Sequence, residues 1–526
     1  MKRPAKFILC IMFALVFMAG TTGCKKDPTL YSSTDIQIYF WDSGYGTEFI
    51  SDVVNLFNSS QETYHATLQT TSAATTIIST LQARENNTYD LYFTMLNTNM
   101  YNNDFTKLDD VLNSPAYGEN TNIREKYYPY LLDGVKNADG TTNFLTYGMG
   151  WVGLVYNNSI IDGKKYEVPR TTTELNFLVA ELDGDPDLVS RGVEPWLFYR
   201  DSNNNGYWTY ALTAWEAQYD GLDYYKNTMM QLRGEDGESP SKDVFLRKDG
   251  RYEALKVLEQ IITPNTTHRE CTNSDFTRVQ TLYLDGEAVL TVNGSWLLNE
   301  STGDPENFEM MKMPVISSIV DHCPSIRGEA EHEGEFDPAD AELSALIADI
   351  DRVTDGLKTS PLTGDKNATV TGDGFRVSES DYKRVMDARN LMYNNSCEQY
   401  VFIPDYSPAK EGAKEFLRYF YSDNGTLAFM KYNKIPTSVR LSDDSKFDYN
   451  SLSAWEERQF DFADKLTAVT DLKDKASLFT NLSLNQFAGL SFAQEMIRTN
   501  AKKDADDIWA NLEARVNENW EDWSIS

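Results

Sequence analysis

Residues 35–41, DIQIYFW, are rich in β-branched and aromatic side chains and read as a strand. The pattern then changes period, because TEFISDVVNLFNS places Phe49, Val53, Leu56 and Phe57 on one helical face. YHATLQT returns to a strand, the stretch after it brings Ile77, Ile78 and Leu81 together as a helix would, and YDLYFTML reads as a third strand. Strand, helix, strand, helix, strand predicts a parallel α/β sheet with right-handed crossovers. Function in such sheets sits in the loops beyond the carboxyl ends of the strands. Much later the apolar run AVLTV ends in Asn293-Gly294-Ser295, and Trp296 follows at once, a large ring where a turn needs only small polar residues.

At 526 residues the chain exceeds what one hydrophobic core usually supports, so two lobes are expected. Its start has the layout of a secretory signal: Lys2, Arg3 and Lys6, then FILCIMFALVFM, then small residues leading to Thr21-Thr22-Gly23-Cys24. That apolar run falls short of the roughly 20 residues that span a membrane. Removing the signal takes the formal net charge from −32 to about −35. Phosphate backbones and anionic lipid surfaces repel such a chain, which argues against a nucleic-acid partner but selects no substrate.

Three loops at strand ends carry candidate chemistry: WDSGYG at 41–46, NTNMYNN at 97–103 and NGSW at 293–296. An aromatic face packs against the C–H side of a sugar ring while amides and carboxylates bond its hydroxyls, so this mixture suits a neutral polyhydroxylated ligand. Tryptophans that merely pad two lobes are the alternative for any single ring. Trp151 follows Gly148-Met149-Gly150, and Trp208 and Trp215 stand seven apart in GYWTYALTAWEAQ, near one helical face, a spacing more typical of a core. Trp151 and Trp208 are nonetheless kept as candidates.

Besides Cys10 and Cys24, the cysteines are Cys271, Cys323 and Cys397, an odd number that cannot complete a disulfide framework. His268 and Cys271 in HREC and the pair His322-Cys323 allow a zinc site to be imagined, although their spacing is not ligand-like. A Cys271–Cys323 disulfide is a better reading, and burial as free thiols better still. No metal and no cofactor is expected. GMGWVG matches a dinucleotide fingerprint, but strand-like VGLVYN follows where a helix is needed. DSNNNG at 201–206 begins like a calcium loop, with Leu212 where the bidentate glutamate belongs. Paired carboxylates for glycoside hydrolysis can be drawn almost anywhere among 80 acids and carry no weight.

The order of motifs resembles the family 1 extracellular solute-binding proteins, the lipid-anchored receptors of carbohydrate ABC importers. The likeness starts at IYFWDSGYGTEFISDVVNLFN and continues through YDLYF, YGMGWVGLVYNNSIID with Tyr156-Asn157, and VPRTTTELNFLVAEL. LYLDGEAVLTVNGSW, MMKMPVI, GDGFRVSES and AKEFLRYFYSDNGTLAFMKYNKIPT follow in the family's order. Gly23-Cys24 resembles a lipobox, although Thr21 stands where Leu is usual, and Cys24 would be the lipidated first residue of the mature chain.

The resemblance implies an α/β fold with two periplasmic-binding-protein-like lobes and hinge crossovers between them. Residues 1–23 would be the signal and 24–34 a tether. The first lobe would hold 35–147 and return at 312–420, and the second would hold 148–311 and 421–526. An insertion at about 321–371, with Asp337-Pro338 at a helix start and Leu343, Leu346, Ile347 and Ile350 as its apolar stripe, would decorate the first lobe or cover the cleft. Trp41, Asp42, Ser43, Tyr45 and Asn97 would form one wall, and Asn293, Ser295 and Trp296 the other, with Trp296 as a stacking platform. Trp151, Trp208, Asp373 and Phe375 would complete the cleft, with Arg376 nearby. The implied protein is a monomeric carbohydrate receptor, not an enzyme, held at the outer face of the membrane by its lipid and delivering an oligosaccharide to permease subunits. A surface enzyme acting on glycans and a receptor for a peptide or polyamine are the alternatives.

Overall fold

The computed structural model describes residues 33–523 except 43, 73–79, 82, 84–87, 95–104, 138, 201–205, 230–233, 235–240, 301–302, 327–337, 355–376, 396–398, 470–490 and 501. Its strands in chain order are β1 (Asp35–Trp41), β2 (His65–Thr71), β3 (Leu91–Thr94), β4 (Leu145–Thr146), β5 (Trp151–Asn157) and β6 (Glu194–Trp196). Then come β7 (Ala288–Gly294), β8 (Phe308–Met310), β9 (Leu391–Asn394), β10 (Tyr400–Phe402) and β11 (Thr467–Val469).

They form two sheets. The first runs β2-β1-β3-β10-β4, with β1 parallel to β2 and β3 as the opening pattern predicts, and β10 antiparallel to β3 and β4. The second runs β11-β9-β5-β7-β6, with β8 also paired to β5. Every residue of β5 and of β7 is buried, which is why both read as unbroken apolar runs. The chain thus builds most of the first sheet, then the second up to β9, returns to the first for β10 and ends in the second with β11. This is the architecture of a two-lobed clamp.

The helix after β1 spans Glu48–Ser60 and buries Phe49, Ile50, Val53, Val54 and Phe57. Leu56, expected on that face, is 44% exposed. At about 100° per residue it stands roughly a quarter-turn from the centre of the buried stripe. The Thr172–Asp183 helix begins where PRTTTEL predicts, with the Thr171 side chain accepting from Glu174 N–H.

The pairing moves the expected lobe boundaries. The described residues of 312–394 stay with the second lobe, because β9 pairs with β5 and β11. The first lobe resumes only at β10, and the Lys410–Phe420 and Asp423–Asn433 helices complete it. Phe416 meets Phe57 at 5.2 Å between ring centroids and Phe429 meets Phe49 at 4.8 Å. A residue count could not find this return, since the ladder partners of β9 and β10 lie some 240 and 310 positions upstream.

The Pro338–Thr354 helix forms as its stripe predicts, with Leu343, Leu346, Ile347 and Ile350 buried. It docks on the second lobe, not the first. Arg389 of the Glu379–Arg389 helix grips Asp351 with two nitrogens at 3.1 and 2.9 Å, and Lys312 adds a third bond at 3.1 Å.

Candidate functional site

Three stretches of backbone cross between the lobes side by side. Tyr147–Gly150 joins β4 to β5, Asn395 leaves β9 and Gln399 enters β10, and residues 434–441 leave the first lobe again. Tyr147 N–H donates to Gln399 O at 3.0 Å, Asn395 N–H to Gly150 O at 2.8 Å, and Gly148 forms a β-bridge with Thr437. The Ser438 hydroxyl also donates to Gly148 O at 3.2 Å. Short crossings tied to one another are what a hinge requires, since a few residues must take up all the rotation.

Side chains from both lobes converge on this hinge. A Cβ at Gly150 would lie 2.1 Å from Asn395 Oδ1, 2.8 Å from Trp296 Cζ3 and 3.0 Å from Tyr45 Oη, and one at Gly148 would meet Tyr45 Cε2 at 2.6 Å. Both glycines are therefore needed for close approach. Tyr45, from the loop after β1, is buried against Phe429, 5.4 Å between ring centroids.

Trp296 emerges directly from β7 and keeps 7% of its surface exposed. Its Nε1 donates to the Tyr207 hydroxyl at 3.2 Å. Tyr207 lies 5.8 Å from Tyr210, and Tyr210 stacks on Tyr393 at 4.4 Å with planes 32° apart. Trp296, Tyr393 and Val152 form a small cluster of their own, with half-buried Tyr207 and Tyr210 against it and Tyr207 bridging to the main core. The first lobe reaches it through Gly44, where a Cβ would meet Trp296 Cβ and Cγ at 3.1 Å and Glu300 Oε1 at 2.7 Å.

Polar groups border the cluster. Ser295 N–H donates to Trp151 O at 2.8 Å, while Ser295 Oγ and Asn395 Oδ1 are buried with no hydrogen-bond partner among the described residues. An unmet buried polar atom costs about 1–3 kcal/mol, so such atoms mark where a ligand or water is accommodated. Asn293 Oδ1 accepts from Gly294 N–H at 2.7 Å. Glu300 is exposed yet hemmed in, and desolvation raises its carboxyl pKa against the lowering effect of the Gln280 amide, which donates to it at 3.0 Å. Asp42 is raised as well, by desolvation and then by repulsion from Glu48.

The structure brings Tyr45, Asn293, Ser295 and Trp296 together around this seam, while Trp41, half-buried at the end of β1, packs against the main core and Asp42 after it is exposed. Trp151 and Trp208 are core residues instead. Trp151 packs on Tyr130 and Phe462, and Trp208 packs on Trp196 at 5.1 Å, as its spacing from Trp215 foretold. Ser43, Asn97, Asp373, Phe375, Arg376 and Cys24 lie outside the described residues. Tyr207, Tyr210, Tyr393, Asn395 and Glu300 escaped the sequence reading. Glu300 had a usable signal: it stands four residues after Trp296, and its N–H donates to Trp296 O at 3.0 Å, one helical turn on. Asn395 had none, because β9 meets β5 only through the tertiary fold.

Cys271 and Cys323 are both buried free thiols. Burial pushes each up to about 12, with Phe198 N–H donating to Cys271 Sγ at 3.4 Å. His268 uses Nδ1 to accept from Glu270 N–H and places Nε2 3.2 Å from Glu287. GMGWVG runs into β5 and not into a helix. Among the described residues no group of three or more His, Cys, Asp or Glu is placed to hold a metal ion, and no helix is long and apolar enough to cross a membrane.

Two α/β lobes joined by three crossings, with side chains of both converging on the seam, define a hinged solute-binding clamp. The family model of the bacterial extracellular solute-binding proteins matches residues 53–330, more than half of the chain, and the protein belongs to that family. No curated protein matches it. Among solved structures it resembles the bacterial solute receptor AcbH, described as having an exclusive preference for β-D-galactopyranose, at 13% identity and a TM-score of 0.56 over 92% of this chain and 99% of that one. A family 1 extracellular solute-binding protein from Bifidobacterium longum subsp. infantis aligns at 16% identity and a TM-score of 0.52 over the same shares. RafE from Streptococcus pneumoniae does so at 13% and 0.54, over 93% of this chain and 98% of its own. At these identities the likeness is one of fold.

Proposed function

We propose that this solute-binding protein captures a carbohydrate between its lobes and hands it to an ABC importer, without chemical turnover. The observation that carries the reading is the aromatic cluster of Trp296, Tyr207, Tyr210 and Tyr393. Trp296 and Tyr393 lie outside the main core, and Ser295 Oγ and Asn395 Oδ1, buried and without a hydrogen-bond partner among the described residues, lie beside them. Rings for the C–H faces of a sugar and acceptors for its hydroxyls are the two halves of carbohydrate recognition. Trp296 is largely covered by Gly44 and Gly150, so the half-buried faces of Tyr207 and Tyr210 offer the broader stacking surface and Trp296 fixes the wall behind them.

Closure follows from contact with both lobes, because a ligand shifts the open–closed equilibrium only by its differential affinity for the two states. Trp41, Asp42 and Tyr45 supply the first-lobe side. The sugar preference attached to AcbH agrees with this reading. Cleavage of the N-terminal signal and lipidation of Cys24 would hold the receptor at the outer face of the membrane, with an oligosaccharide as its cargo and the permease as its partner.

Calorimetric titration of the mature chain against a panel of oligosaccharides tests the reading. Binding at micromolar Kd or tighter, about −8 kcal/mol or better, that weakens at least tenfold in Tyr210→Ala supports it. Silence across the panel, or release of sugar fragments on incubation, rejects it.

A further inference from the structure

The loop leaving β1 and the short Leu297–Glu300 helix bring three carboxylates to the seam. Glu300 Oε1 lies 2.7 Å from where a Gly44 Cβ would be, Glu48 Oε2 lies 2.8 Å from the same point on Gly46, and Asp42 interacts with Glu48 through space. None has a basic partner among the described residues. Glu300 receives the Gln280 amide, Glu48 accepts from Thr47 N–H at 3.1 Å, and the cation of this region, Lys431, is engaged with Asp52 and Tyr432. Partial desolvation without counter-charge disfavours the ionised form of Glu300 and of Asp42, and an arriving cation relieves that.

A second observation is independent of these acids. Asn395 Oδ1, on a side chain 95% buried, has no hydrogen-bond partner among the described residues and lies over Gly150 beside the Cζ3 edge of Trp296. The indole therefore runs from Glu300, at its Cβ and Cγ end, to Asn395 at the other. Both ends present acceptors. A neutral sugar can satisfy Asn395 and donate hydroxyls to the carboxylates, but it leaves their charge uncompensated.

Resting on the carbohydrate reading above, we propose that the solute is an amino sugar or an oligosaccharide containing one. Its ammonium is held by Glu300 with Asp42, and a hydroxyl donates to Asn395.

The test titrates the mature chain with the β-linked glucosamine disaccharide, its N-acetylated counterpart and cellobiose at one pH and salt concentration, with spermidine in parallel. The expected result is at least about tenfold tighter binding of the free amine than of either neutral sugar. Glu300→Gln and Asp42→Asn should each cut that ratio several-fold, thermal melts confirming that the variants are folded; Asp42 is exposed, so its variant carries the test if Glu300→Gln does not fold. Equal or weaker binding of the amine, an unchanged ratio in the folded variants, or binding of none of the four probes overturns the proposal. Glu300-dependent binding of spermidine without any sugar upholds the cationic site and removes the carbohydrate reading; neutral sugars binding alone does the reverse.

Discussion

The indole nitrogen of Trp296 donates to the hydroxyl of Tyr207 at 3.2 Å, and the two rings meet edge to face, 5.9 Å apart with planes at 75°. One contact thus fixes the residue at the end of β7 to the start of the Trp208–Asp220 helix. Trp296→Phe keeps most of the ring and removes the donor, and Tyr207→Phe removes the acceptor. We expect each to cost about 1 kcal/mol, with a coupling of the same order in the double-mutant cycle. Urea denaturation of the four proteins measures it, and purely additive effects would mean that the bond contributes nothing.

Gly150→Ala tests the convergence on the hinge. Its methyl would enter the space of Asn395 Oδ1 at 2.1 Å and of Trp296 Cζ3 at 2.8 Å, so the rings and the amide must move. Overpacking of this kind costs about 1–3 kcal/mol. Ligand affinity should fall more than stability does, because the displaced groups line the seam. Calorimetry and thermal melts on the same protein separate the two.

Asp220 gives the second lobe a pH dependence. It is part-buried one turn from Glu216, and desolvation followed by repulsion from Glu216 raises it from 3.8 to about 7. Between those values the folded state holds a proton that the unfolded chain has released, so stability falls as pH rises from about 4 to 7 and levels off above it. Asp220→Asn should flatten that slope and be the more stable protein at pH 8, since its amide oxygen can still accept from Gly250 N–H as Asp220 Oδ1 does at 3.0 Å. Denaturation midpoints from pH 4 to pH 8 decide it, and parallel profiles for the two proteins would refute it.

Lys126 is buried in the first lobe between Glu119 at 2.7 Å and Asp423 at 2.8 Å, with Lys446 on the other oxygen of Asp423. Lys126→Met leaves carboxylates without their central cation and should cost about 3–5 kcal/mol. Burial pushes Asp423 up, but the hydrogen bonds from Lys126 and Lys446 prevail and hold it at about 2. Its contribution is therefore complete above the ordinary 3.8 and is lost as pH falls toward 2. An acid titration should show the mutant losing less stability than the parent over that interval.

Much of the fold was legible because period and burial are local properties. The β-branched and aromatic content of DIQIYFW, the helical stripe of residues 49–57 and the largely apolar β5 and β7 each state how a segment must be covered. The stripe of the Pro338–Thr354 helix was equally plain, but a stripe says only that a face is buried. Which lobe covers it depends on Asp351 meeting Lys312 and Arg389, from segments before and after it in the chain.

The sequence by itself determined that two α/β lobes would form and that Trp208 and Trp215 would share a helical face. Only the tertiary structure decided which sheet received β9 and β10, and hence where the chain crosses the hinge. It also decided that Trp151 would fill the core while Tyr207, Tyr210 and Asn395 gathered at the seam. The reason is physical: secondary structure follows from residues three or four apart, whereas a cleft is made where segments far apart in sequence are brought together by burying the other faces of their elements.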